Sequence, residues 1–287
     1  MTFPARYMPK LLGGTALAVS CLLMMTFSAY ADTVEGLYES RQKVSGGQQE
    51  LSQSQLIRDA YTHVLIKVTG MQNITQHPEY HTLLPNAEKA VQLFRYETEE
   101  QQEAPAEKWF WVRFNERSIN RQLSKNHLPV WGDVRPTTLL WFTQEIDGRR
   151  VMQSQHDAPD LYAVMEQQAE YRGIELIFPF MDMQDQSNIS EADIWGNFNE
   201  PVLAASRRYQ SQSTLTLSLY QERGGLWVAN WTYLILGETH QWKTQAEQQA
   251  QALGSGIDML ADQLARKYAL VADDHTGNSL IIQVNNV

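Results

Sequence analysis

The spacing of apolar positions divides the chain into short alternating stretches and helical stripes. Leu56, Ala60, Val64 and Val68 recur every four residues with Ile57, Tyr61 and Leu65 beside them, the stripe of an amphipathic helix. Ser52 or Ser54 stands where an N-cap belongs, and Gly70 where a left-handed residue ends the helix. Before this helix, residues 33–44 carry Val34, Leu37 and Tyr38 among polar residues and read as a strand that Ser45-Gly46-Gly47 breaks. After it, a short helix is predicted from Asn86 to about Val91. Two strands, 92–97 and 108–115, then flank the acidic, apolar-poor loop 98–107. Residues 116–125 read as a helix with Ile119 and Leu123 four apart.

Leu128 to Pro136 places two prolines and a glycine within a short segment, the composition of a domain boundary. Beyond it, 137–145 reads as a strand, and Asp160 opens a helix with Leu161, Val164, Met165 and Ala169 on one face and Gly173 at its end. The run 174–178 is apolar except for Glu175 and predicts a strand buried on both faces over much of its length. A polar stretch leads to a helix from Glu200 to Tyr209, with Pro201 in its first turn. Leu215, Leu217 and Leu219 then alternate with polar residues, a half-buried strand. Glu222 to Gly225 turns the chain, Trp227, Ala229, Trp231 and Tyr233 alternate on the return, and Gly237-Glu238 leads into a third strand. A long helix closes the meander with Ala246, Ala250, Leu253, Ile257, Leu264 and Tyr268 on one stripe, although Gly254 and Gly256 lie inside it.

The pattern therefore predicts an α+β protein of two small domains, 32–130 and 131–270. The second has the order β-α-β-α-β-β-β-α, with helices packed on one face of its sheet. Residues 271–287 form a tail in which Leu280 to Val284 supply a last strand or fray.

Residues 1–31 have a different character. Arg6 and Lys10 precede an apolar run from Leu11 to Phe27, and Ala29 and Ala31 hold the −3 and −1 positions before Asp32, the pattern of a cleaved secretory signal. The run is short for a spanning helix and no positive cluster follows it. Leu17-Ala18-Val19-Ser20 before Cys21 departs from a lipoprotein site, because Ala18 stands at −3 and an apolar run follows. Cleavage after Ala31 removes the single cysteine of the 287-residue chain. Thiol catalysis, cysteine-ligated zinc and haem attachment through cysteines are then excluded. It also removes two of the 23 basic residues, so the formal charge goes from −10 to −12. That balance argues against a basic face for nucleic acid or anionic lipid. The expected product is periplasmic, with no membrane insertion after signal removal and no nucleic-acid partner.

Candidate chemistry is sparse. His77 and His81 have the spacing of two ligands on one helical face, but Pro78 stands where a zincin has glutamate. Their bland reading is a polar loop or helix start. Asp182, Asp185, Glu191 and Asp193 lack the glycine and terminal glutamate of a calcium loop and read as a solvated loop, as do Asp273-Asp274-His275. Nucleophile-elbow, phosphate-loop and dinucleotide patterns do not occur in the sequence. Trp109 and Trp111 share one strand face, as do Trp227 and Trp231, with Trp242 on the next strand; such rows more often line a core than a ligand platform. No catalytic, cofactor-binding or metal-binding residue is nominated, and no cofactor is expected.

Several segments together resemble DUF2066, a domain-of-unknown-function family of bacterial envelope proteins. They are Val34-Glu35-Gly36-Leu37-Tyr38, Val64 to Gly70, Leu128 to Gly132 with Pro136 to Trp141, Ala204 to Tyr209, Trp231, Gly256-Ile257-Asp258 and Ala265 to Tyr268. The order of the second domain is also similar to the α+β domains of envelope-assembly lipoproteins and of the amino-terminal domain of TolB. The resemblance implies a non-catalytic periplasmic accessory protein that binds an unidentified envelope partner. The alternative is a cell-wall-directed hydrolase or carbohydrate- or ligand-binding protein, which would require a cleft with convergent carboxylates and exposed aromatics.

Overall fold

The computed structural model describes residues 33–44, 51–100 and 106–271. The secretory-signal segment, Ser45-Gly46-Gly47, Asp273-Asp274-His275 and the 280–284 strand lie outside them. The described residues form one compact unit of mixed helices and sheets, an α+β fold.

In the N-terminal half, β1 (Glu39–Lys43), β2 (Val91–Glu99) and β3 (Glu107–Phe114) make an antiparallel sheet in the order β1-β3-β2. Helix α1 (Gln53–Thr69) starts at Ser52, whose side chain and that of Gln55 form a capping box, and ends at left-handed Gly70. Its buried stripe, with Leu56, Tyr61, Val64 and Val68, meets Phe110, Val112 and Phe114 of β3 in one core. The short helices α2 (Tyr80–Leu83) and α3 (Ala87–Ala90) and the longer α4 (Glu116–Lys125) complete this half. Ile119 and Leu123 of α4 are fully buried in the same core.

The C-terminal half is built on a larger sheet. β5 (Thr138–Ile146) lies at its centre, with β8 (Ser213–Gln221), β9 (Trp227–Ile235) and β10 (Glu238–Ala246) to one side in the order β10-β9-β8-β5. On its other edge β5 pairs antiparallel with β6 (Arg149–Met152) and parallel with β7 (Leu176–Ile177). Helices α5 (Pro159–Arg172) and α9 (Gln249–Tyr268) cover one face. Leu140, Phe142, Leu215, Leu217 and Leu219 meet Leu253, Ile257 and Leu264 there. Beyond α6 (Met183–Asn188), helices α7 (Glu191–Trp195) and α8 (Asn199–Ser206) cover the other face, where Leu139, Trp141 and Leu234 meet Ile194, Val202 and Ala205.

Three details differ from the sequence reading. Helices lie on both faces of the sheet, so β8 is buried on both sides: Thr214, Thr216 and Ser218 are buried like the leucines between them. β8 joins β5 in parallel, a pairing the sequence pattern does not address. Strand β7 keeps only two residues and stays half-buried at the edge, because β6 occupies the rest of that side of β5. Helix α9 is unbroken, and Gly256 has a packing reason. A methyl group there would stand 2.1 Å from the Trp231 indole, which fills the space instead.

Leu128 to Pro136 exposes Gly132, Asp133 and Val134 but anchors its flanks. Trp131 is 1% and Arg135 2% exposed, and β4 (Pro129–Val130) pairs with β11 (Leu270–Val271), which brings the end of α9 back to this segment. At the same seam Gly70 lies against α9, where a side chain would meet the Ala265 methyl at 2.3 Å.

Candidate functional site

The seam is held by buried cations at helix C-termini. The Arg135 guanidinium donates to Lys67 O at 2.8 Å, Trp131 O at 2.9 Å, Gly132 O at 2.9 Å and Gly173 O at 2.6 Å, and lies 3.7 Å from the centroid of the Trp131 ring. Carbonyls at the ends of α1 and α5 carry the negative pole of each helix, so the charge is met by main-chain oxygen. Burial still lowers its pKa. Arg172, at the end of α5, donates to Gly70 O at 2.9 Å, Asp258 Oδ1 at 2.8 Å and Asp262 Oδ1 at 2.6 Å. Lys67 donates to Gly36 O at 2.7 Å and Glu39 O at 2.6 Å, and burial pulls its pKa down to about 8.

Beside this seam opens a groove of about 790 Å³. Residues 33–37 and β1 form one wall, and the end of α5 with residues 173–176 forms the other. Glu35, Glu39, Glu166, Glu170 and Glu175 line it. Glu39 pairs with Arg113 at 2.7 Å. Among the described residues the other four make no ion pair with a basic side chain. Neutral groups approach two of them: Gln155 donates to Glu166 at 2.9 Å and Thr137 to Glu175 at 2.9 Å.

At the groove, Ser40 Oγ lies 3.0 Å from His63 Nδ1, and His63 Nε2 lies 3.1 Å from Tyr171 O. The imidazole also stacks on the Tyr171 ring at 4.4 Å. A carbonyl only accepts, so Nε2 holds the proton and the Ser40 hydroxyl donates to Nδ1. Burial, with the Lys67 charge adding to it, pushes the His63 pKa down to about 4, so the ring is neutral at pH 7. A serine donating to a neutral imidazole has the polarity of a nucleophile and its base. Ser40, however, is only 3% exposed, and the surrounding carboxylates oppose the oxyanion of a tetrahedral intermediate. The contact joins β1, α1 and α5.

The outward face of the N-terminal sheet carries Trp109 and Trp111 beneath cations. Arg41 lies 4.1 Å from the Trp109 centroid and Arg95 4.1 Å from that of Trp111. The Trp111 indole N–H donates to Glu39 at 3.2 Å, and Trp111 reaches the groove. By contrast, Trp231 is 1% exposed and stacks on Trp242 at 6.1 Å beneath α9, part of the core.

The clusters singled out by sequence fall elsewhere. His77 closes a turn before α2, its Nδ1 accepting from Glu79 N at 3.3 Å, and His81 lies within α2. Residues 182–193 are two short helices, not a solvated loop. Asp182 caps α6, Asp193 completes the capping box of α7, and Asp185 is buried. Arg208 bridges Asp182 at 2.8 Å and Asp185 at 3.0 Å, and this hydrogen bonding holds the Asp182 carboxyl down at about 2. The groove glutamates escaped the sequence reading because three separate segments supply them; the one local signal was Glu166 and Glu170, one turn apart on the polar face of α5.

Residues 31–132 match the model of a domain of unknown function, DUF8605. This overturns the resemblance to DUF2066. No curated protein matches the chain. Solved structures similar to it include the LpoB C-terminal domain from Salmonella enterica, at 15% identity over 39% of this chain and 83% of that one, with a TM-score of 0.27. The competence damage-inducible protein A (ComA) from Klebsiella pneumoniae matches at 15% identity over 53% and 92%, with a TM-score of 0.27. A competence-damaged protein (CinA) superfamily protein from Escherichia coli matches at 15% over 52% and 86%, with a TM-score of 0.26. At such scores the likeness carries no functional argument. Among the described residues no helix is long and apolar enough to cross a membrane.

Proposed function

We propose that the chain is a non-catalytic periplasmic accessory protein whose groove receives a basic, extended segment of an envelope partner. The observation that carries this reading is the set Glu35, Glu166, Glu170 and Glu175, which lines an open groove and, among the described residues, makes no ion pair, while the nearby cations Lys67 and Arg135 donate to main-chain carbonyls. Opposite charge in such a groove speeds encounter and selects the partner's sign. Export rests on the signal pattern of residues 1–31, and an intact mass beginning at Asp32 would support it.

The test is titration of the mature chain with an extended lysine- and arginine-rich decapeptide, read by tryptophan fluorescence, against a glutamate-rich control. Binding of the basic peptide that weakens with salt, and that falls about tenfold or more in Glu166→Gln/Glu170→Gln/Glu175→Gln, is the expected result. Equal binding of the acidic peptide, or no effect of the triple variant, would refute the reading. The rival hydrolase reading draws on the Ser40–His63 contact; labelling of Ser40 by a fluorophosphonate would favour it.

A further inference from the structure

Strand β2 ends the N-terminal sheet and is exposed along most of its length. Its main-chain directions follow from the opposite edge. Phe114 N donates to Tyr38 O at 2.8 Å, and the register places Glu39 against Arg113. Alternate residues Phe110, Val112 and Phe114 of β3 therefore turn their amides and carbonyls toward β1. Trp109, Trp111 and Arg113 turn theirs toward β2, opposite Glu97, Arg95 and Leu93. Phe94, Tyr96 and Thr98 are left with main-chain groups directed away from the sheet, as the alternation of antiparallel pairing requires. Leu93, Phe94 and Tyr96 are 52%, 39% and 53% exposed. Phe94 and Tyr96 lean on Phe110 with ring centroids 5.7 and 5.2 Å away. An edge of this length and apolarity is a template for another strand.

We propose that the occupant is the β2 strand of a second copy of this chain, paired antiparallel about a twofold axis at Tyr96. Charge selects this register. An axis at Arg95 sets Arg95 against its own copy, and an axis at Glu97 sets Glu97 against its own copy. The axis at Tyr96 sets Arg95 opposite Glu97 of the second copy, twice by symmetry. It also brings Phe94 opposite Thr98, so every hydrogen-bonded position is an outward-directed one. Within one chain Arg95 already approaches Glu97 at 2.7 Å through Nε alone, and its side chain is 56% exposed, which leaves the rest of the guanidinium for the partner. The product is a continuous sheet of two N-terminal halves in an isologous dimer.

Sedimentation equilibrium of the mature chain tests this. Wild type is expected to dimerise. Arg95→Glu and Glu97→Arg each set like charges opposite one another and are expected to weaken the dimer about tenfold. An equimolar mixture of the two variants restores opposite charges at both positions and is expected to dimerise like wild type. Thermal unfolding of each variant shows that it remains folded. Oxidised Tyr96→Cys should link to itself, since directly opposed α-carbons lie about 5.5 Å apart, whereas Leu93→Cys should not. A monomeric wild type, a dimer indifferent to both charge reversals, or a mixture that fails to recover the dimer would overturn the proposal.

Discussion

The two sheets are finished to different degrees. The C-terminal sheet is closed on both faces, by α5 and α9 on one side and α7 and α8 on the other, and its central strand β5 is buried from Thr138 to Gln144. The N-terminal sheet is covered by α1 on one face, turns tryptophans and ion pairs outward on the other, and leaves β2 open. The central strands of the C-terminal half are therefore committed to packing on both faces. The N-terminal half keeps its free edge and one wall of the groove for contact with other molecules. In this account the C-terminal half is the scaffold and carries the groove wall with Glu166, Glu170 and Glu175, while the N-terminal half supplies the opposite wall and the free edge.

The comparison breaks most readily at the seam. Replacing Arg135 by Met removes the donor to several buried carbonyls, each costing about 1–3 kcal/mol when unpaired, so a total of about 3–5 kcal/mol is expected in urea unfolding. The proposed division into 32–130 and 131–270 is tested by a fragment. An isolated 135–287 fragment loses the Lys67 and Trp131 acceptors of Arg135 and should unfold at lower urea than the full chain.

Next come matched truncations in the two halves. Leu217→Ala in the closed sheet should cost about 2–5 kcal/mol, while Leu93→Ala on the open edge should stay within about 0.5 kcal/mol. Equal losses would mean that the Leu93 side chain is packed and not exposed. Within α9 the same substitution should act with opposite signs. Gly256→Ala drives a methyl into the Trp231 ring and should cost about 1–3 kcal/mol. Gly254→Ala meets nothing nearer than Gln168 at 4.0 Å and should gain up to about 1 kcal/mol in helix propensity.

A smaller effect is expected from pH. His63 titrates near 4 when folded against 6.5 ordinarily. Between these values the unfolded chain binds a proton that the folded chain does not, so stability falls as pH drops from 6.5 to 4. His63→Gln should flatten that limb of the stability profile. His77→Ala and His81→Ala should leave the unfolding midpoint unchanged with or without added zinc.

Elements defined by local pattern were legible in the sequence. Helix α1 announces itself through Ser52, its four-residue stripe and Gly70, and α4 spans the residues that its Ile119–Leu123 spacing indicated. The meander from β8 to β10 follows from alternation and turn residues. Strand β6 escaped notice because Arg149 and Arg150 mask its short apolar content. The pairing of β4 with β11, and the parallel join of β5 to β8, depend on contacts between distant segments that no local period encodes. The groove is hidden for the same reason. Its glutamates acquire meaning only when residues 35, 166, 170 and 175 are brought together, whereas the conspicuous acids at 182–193 cap helices and bind Arg208.

The division between recognition surface and scaffold is tested most directly by site-specific photocrosslinking of the exported protein. A photoreactive phenylalanine is placed in turn at Thr33 and Glu170 in the groove, and at Leu226 and Met259 away from it. The account predicts a discrete adduct with one partner at the groove positions, lost on charge reversal of Glu166 and Glu175, and none at Leu226 or Met259. Adducts confined to Leu226 or Met259, or groove adducts that survive the charge reversal, would contradict it.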